Sequence, residues 1–220
     1  GGGQIVAELR GSERLARDLV DYPEAVKRAI GAVNEAWWHY YRACTEIIHR
    51  HQEGYVDWLG VWSDTPAVTG ECDFSCLISP AMFAEFFLPY IADVANDFGL
   101  VYYGCCEPLH DRWPLIAQAI PQIRAVSISP WSDLQQMGEY LGHNYVYSRK
   151  PKAAPISGLT PDWDALREDM EATLHAARDC NLEFIFRDVY RIHGDRARLR
   201  QWVEMVRAHI GGAMLNPTTV

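Results

Sequence analysis

The chain has 220 residues, of which 49% are hydrophobic and 22% charged, and a formal net charge of −9. This is the make-up of a globular protein long enough to bury a sizeable core, and it excludes a disordered chain. The acidic balance argues against nucleic acid or an anionic membrane as partner; no apolar run reaches transmembrane length and no leader is visible over residues 1–18, so a cytoplasmic setting is expected.

The run Gly1-Gly2-Gly3 has no initiator Met and reads as a cut edge or a cloning remnant. Residues 1–22 are then read as a lead-in, expected to be cut from a longer chain, to a single partial domain over 1–220. Leu15 and Leu19 place a short helix at 12–21. Pro23 opens a long amphipathic one, along which apolar residues recur every three or four positions from Val26 to Ile48. Cys44 falls on its apolar face as a core filler. Residues 55–62 predict a strand and 63–70 a loop. Ser79-Pro80 is an N-cap and first-turn pair for a helix running to Gly99.

Strands follow at 100–104, 125–129, 145–149 and 182–189, with helices at about 109–119, at 132–141, from Thr160-Pro161 onward, and from Leu199 to Ile210, where Gly211-Gly212 stops the last one. Residues 216–220 are expected to be a frayed tail. Five alternations of strand and helix call for a parallel sheet with helices outside it. The count fits the C-terminal five βα units of a TIM-type (β/α)8 barrel, with an open doubly wound sheet as the alternative. No Gly-rich GxGxxG turn follows any strand, which weakens a dinucleotide-binding reading.

The six cysteines, Cys44, Cys72, Cys76, Cys105, Cys106 and Cys180, are too sparse for a disulfide scaffold, and reduced thiols are the default. Most of the chemistry gathers at 100–110, where Cys105, Cys106, Glu107 and His110 follow a strand of β-formers. The C-terminal edge of such a strand is where α/β enzymes keep their sites. Zinc accepts thiolate, imidazole and carboxylate, so these four are candidate metal ligands. Adjacent cysteines on an extended chain point to opposite sides, which favours Cys106 alone at the mouth. Cys72 and Cys76 read as structural thiols. Arg149, Lys150, Arg187 and Asp188 end two strands and are candidates for holding an anionic substrate. Trp62 and Tyr103 are candidates for lining a pocket, and His193 for acid–base work.

From about Arg10 to Gly211 the chain resembles the uroporphyrinogen decarboxylase-like superfamily, which includes corrinoid- and thiol-linked methyltransferases. The landmarks are Gly11-Ser12-Glu13-Arg14-Leu15, the segment Asp73 to Pro80, Tyr103-Gly104-Cys105-Cys106-Glu107-Pro108, Val126 to Pro130, and Tyr145 to Pro151. The resemblance implies a (β/α)8 barrel whose first units are absent, and a site Asp at Asp73. Where decarboxylases of the family keep a Gly-His-Gly type segment, this chain has Phe186-Arg187-Asp188-Val189-Tyr190. The family's zinc methyltransferases use His-x-Cys and a later Cys; Cys106 fills the first Cys position, but Gly104 replaces the His and no Cys follows the last strand.

The expectation is a methyltransferase with a corrinoid or thiol acceptor and zinc as its candidate metal, in which Cys106 binds metal or thiol and Asp73 orients the substrate. The alternatives are a decarboxylase of uroporphyrinogen or a smaller carboxylate, and a non-catalytic ligand-binding barrel fragment. Expected partners are a small-molecule substrate, a corrinoid protein, and either a second copy of the chain or the missing N-terminal portion.

Overall fold

A computed structural model of the chain describes residues 1–215, with side chains as far as Ile210. Three helices lead: α1 (Gly2–Arg10), α2 (Ser12–Asp21) and α3 (Pro23–Ile48). The second and third lie where the apolar spacing puts them. The glycine run, for which no element was expected, begins a packed helix. A Cβ on Gly2 would stand 2.3 Å from Asn34 Oδ1, and one on Gly3 2.3 Å from Phe87 Cδ1, so bare backbone is what lets α1 approach its neighbours. Val6 and Ala7 of α1 are buried in one core with Leu15, Leu19, Val26 and Ile30. Cys44 is exposed on α3, which corrects its expected place in the core.

The segment expected as one strand over 55–62 is a small antiparallel hairpin, β1 (Tyr55–Val56) and β2 (Trp62–Ser63). Asp57 breaks it, because its carboxylate accepts from the N–H groups of Leu59 and Val61 and holds the chain in a turn. The first strand of the main sheet lies in the stretch expected as a loop, β3 (Ala67–Gly70). It is followed by β4 (Leu100–Tyr103), β5 (Ile123–Ile128), β6 (Val146–Arg149) and β7 (Asn181–Phe184), all parallel, in the order β3-β4-β5-β6-β7.

The connecting helices are α4 (Pro80–Phe86), α5 (Leu88–Ala95), α6 (Trp113–Ala119), α7 (Leu134–Leu141), α8 (Ala154–Ser157) and α9 (Trp163–Ala176), and α10 (Ala197–Leu215) follows β7. Ser79 caps α4 as expected, its Oγ accepting from the Met82 N–H at 3.2 Å. The helix expected over 80–99 breaks at Phe87, because Pro89 has no N–H to donate to the carbonyl four residues back. α10 runs through Gly211-Gly212, which were expected to stop it. The expected tail at 216–220 lies outside the described residues.

Each strand pairs with its neighbour in the chain, and the order never reverses. A doubly wound sheet reverses its order at a switch point; a sheet without reversal, joined by right-handed crossovers, carries its helices on one face. Val101, Tyr103, Val126, Ile128 and Tyr147 on that face pack with Phe83, Ile91, Ile116 and Met137. The opposite face carries Tyr102, Ser127 and Ser148, all buried, with the Tyr102 hydroxyl 2.8 Å from Ser148 Oγ. A second core of Ile156, Leu166, Met170, Trp202 and Val206 joins α8, α9 and α10. The fold is thus α/β with a five-stranded parallel sheet. Among the described residues β3 and β7 are not paired to each other, and no closed barrel is formed. No described helix is long and apolar enough to cross a membrane.

Candidate functional site

Because all five strands run the same way, their C-terminal ends share one edge, and each delivers something to it. A 3-10 turn at Asp73–Leu77 after β3 places Asp73, and β4 leads into Cys105 and Cys106. Ser127 lies near the end of β5, Pro130 and Trp131 follow it, Lys150 follows β6, and Arg187 and Asp188 follow β7. The sulfurs of Cys105 and Cys106 lie side by side at 3.5 Å, contrary to the alternation expected of an extended chain. The cause is Gly104, whose φ of 95° turns the backbone out of the strand.

Asp73 Oδ1 accepts the Cys106 N–H at 3.0 Å. Its carboxylate and the two sulfurs all lie within 4.8 Å of one another. Glu107, expected as a metal ligand, is a buried brace instead. One oxygen accepts the Cys72 N–H at 3.1 Å and the other the Cys105 N–H at 2.8 Å, tying the β3 and β4 ends together. Burial, reinforced by the neighbouring Asp73 carboxylate, pushes its carboxyl up to about 7 despite those two bonds. The thiol of Cys106, an exposed residue, is pushed up to about 12 by partial desolvation, then by Cys105 and Asp73. Burial likewise raises Cys105.

The Cys105 carbonyl accepts from Ser127 Oγ at 2.9 Å and from Lys150 Nζ at 3.3 Å. Arg187 Nη1 donates to Cys105 Sγ at 3.2 Å, and its guanidinium lies 4.2 Å from the centre of the Trp58 ring. Lys150 is only 4% exposed, and its ammonium sits 5.1 Å from the Trp58 ring and 5.3 Å from that of Tyr102. Beside the thiols opens a cavity of about 240 Å³ lined by Cys105, Cys106, Trp131, Lys150, Arg187 and Asp188, among others.

Of the residues singled out in the sequence, Asp73, Cys105, Cys106, Lys150, Arg187 and Asp188 therefore meet at one edge. Others do not. Arg149 points to the helix face, where it donates to Asp169, Thr173 and the carbonyls of Ile128 and Lys150, and it is 1% exposed. Tyr103 shares that parity and is buried in the main core. Trp62 lies in the hairpin, 60% exposed, with its Nε1 3.4 Å from the Glu53 carbonyl. His110 Nδ1 accepts the Asp133 N–H at 3.2 Å and is outside the thiol–carboxylate cluster. His193 is exposed, with Nε2 3.2 Å from the Ser157 carbonyl, and does not line the cavity. Cys72 is buried and Cys76 exposed, and neither joins the cluster.

Three residues at the site were not singled out for it. Trp58, not Trp62, is the hairpin indole that reaches the site, where it stacks on Lys150 and Arg187 without lining the cavity. Trp131 and Lys152 line the cavity, with Lys152 Nζ 5.7 Å from the Trp131 ring centre. The available signal for these two was position alone, just after predicted strands. No protein-family model matches the chain, and no curated protein matches it either.

Proposed function

We propose that the chain is the C-terminal portion of a (β/α)8 barrel enzyme of the uroporphyrinogen decarboxylase-like kind, acting in the cytoplasm as a methyltransferase with a thiol acceptor. The observation that carries this reading is the meeting of Asp73, Cys105 and Cys106 at the C-terminal edge of a parallel sheet. The unreversed strand order supports the barrel, since barrels are wound in that manner.

Two sulfurs and a carboxylate within 4.8 Å fit a tetrahedral zinc site with one position left open, so Asp73, Cys105 and Cys106 would hold the ion. Bound there, zinc would supply Lewis-acid activation of a thiol acceptor. The chain's own residues do the positioning. Glu107 fixes the backbone of Cys105, Asp73 fixes that of Cys106, and Arg187 fixes the Cys105 sulfur. Trp58 stacks on the two cations beside the thiols. A cavity of about 240 Å³ takes a small thiol, whereas a corrin ring would have to be presented from outside by a partner protein.

The test is metal analysis of anaerobically purified protein, with methyl transfer to a small thiol followed in parallel. Near-stoichiometric zinc, lost in both Cys106→Ser and Asp73→Asn, is the expected result. Protein that binds no zinc when offered it, or Cys106→Ser that keeps full occupancy, would overturn the reading.

A further inference from the structure

We propose that the cavity beside the thiols binds the carboxylate of a small organic acid with an apolar body, held by Lys150 and Arg187. That this acid is a substrate rests on the methyl-transfer reading above; that it binds does not.

The first support is a local reversal of charge. The chain carries 29 acidic residues against 20 lysines and arginines. The cavity wall carries three cations, Lys150, Lys152 and Arg187, against one acid, Asp188. Among the described residues none of the three cations forms an ion pair, although twelve ion pairs occur elsewhere.

The second support is burial. Lys150 is 4% exposed, yet its ammonium has one hydrogen-bond acceptor, the Cys105 carbonyl, and otherwise faces the rings of Trp58 and Tyr102. A buried charge left without an opposite charge is costly, and an anion arriving in the cavity would relieve that cost. Arg187 is only half-buried, but it too has a sulfur and an indole face, not a carboxylate, as its bonded and stacked neighbours.

The lining sets the class of anion. Pro130, Trp131, Pro151, Ala153 and Ala154 make an apolar wall, which suits a hydrocarbon or aromatic body. The guanidinium fork matches the two coplanar oxygens of a carboxylate. Asp188 at the wall offsets one of the cations, which favours a monoanion over a phosphate dianion. The small volume excludes a macromolecule.

Isothermal titration of the whole chain with phenylacetate, butanoate, phenylacetamide and phenyl phosphate tests this, in protein as purified and after metal removal by a chelator. The acids are expected to bind in both preparations, with the neutral amide weaker by roughly tenfold or more. Arg187→Gln is expected to weaken phenylacetate binding by roughly tenfold or more, and the exposed Lys152→Gln by only about two- to threefold, an effect that fades with added salt. Lys150→Arg, which keeps the charge, should retain binding where Lys150→Met loses it, separating a charge effect from a folding one. Equal binding of acid and amide, unchanged affinity in Arg187→Gln, or preference for phenyl phosphate would each overturn the assignment. Carboxylate binding by a protein that takes up no zinc would remove the methyl-transfer reading and leave this one standing. Zinc uptake without carboxylate binding would do the reverse.

Discussion

The helix-packed face of the sheet and its C-terminal rim both carry arginine, and they treat it differently. On the packed face, Arg149 is fully enclosed and every nitrogen of its guanidinium has an acceptor, including the Asp169 carboxylate. At the rim, Arg187 and Lys150 have a sulfur, a carbonyl and aromatic faces for company, and among the described residues neither has a carboxylate within ion-pair distance, although Asp188 lines the same cavity. A charge neutralised inside the fold serves the architecture. One left open beside a cavity is available to something that arrives later.

The comparison is most exposed to a change at Asp169. Asp169→Asn would leave the Arg149 guanidinium buried without its anion, and a loss of about 3 kcal/mol in urea unfolding is expected. A loss below about 1 kcal/mol would mean that Arg149 is not held by charge, and the contrast with the rim would fall. A smaller effect is expected at Arg112, a second enclosed arginine on the packed side, which donates to Asp111 and to the Ser75 carbonyl. Its guanidinium bond holds the Asp111 carboxyl below the ordinary value. The folded carboxyl is thus the stronger acid. Its contribution is complete above the unfolded pKa of about 4 and is lost as the pH falls through the lower folded one. Because Asp111 is 42% exposed, the contribution is less than about 1 kcal/mol. Asp111→Asn should flatten the acid limb of urea midpoints between about pH 5 and pH 2 by that amount, and an unchanged limb would count against the pairing. The smallest effect belongs to the rim. Arg187→Gln is expected to shift stability by no more than about 0.5 kcal/mol either way, even as it weakens anion binding. A loss as large as that of Asp169→Asn would show Arg187 to be architecture too.

How much of this was legible in the sequence depends on how local each cause is. The strands β4 to β6 were visible because β-branched and aromatic runs sit between turn residues, β7 was placed but expected to run on to Val189 where it ends at Phe184, and α4 was visible because Ser79-Pro80 is a self-contained start signal. β3 was missed because Ala67-Val68-Thr69-Gly70 is short and is a strand chiefly through its pairing with β4. α1 was missed because the virtue of Gly2 and Gly3 is the space they leave for Asn34 and Phe87, residues far along the chain. At the site, Asp73 and Cys106 could be named from residue type and position. The side of the sheet could not: Arg149 and Lys150 are adjacent, and their one-residue difference in parity sends one inward and one to the cavity. Tyr103 and Tyr102 differ in the same manner.

The bend at Gly104 has a consequence for how the sulfur pair can be altered. A methyl group at this position would fall 2.9 Å from Leu109 Cδ1 and 3.1 Å from Ser127 Cβ, on a backbone conformation that favours glycine. The aim of both thiols is therefore governed by a residue with no side chain at all. Chemistry at positions 105 and 106 can be exchanged while the scaffold stays put, but the hinge before them tolerates no such editing. Any redesign of this rim has to begin one residue upstream of the atoms it wants to move.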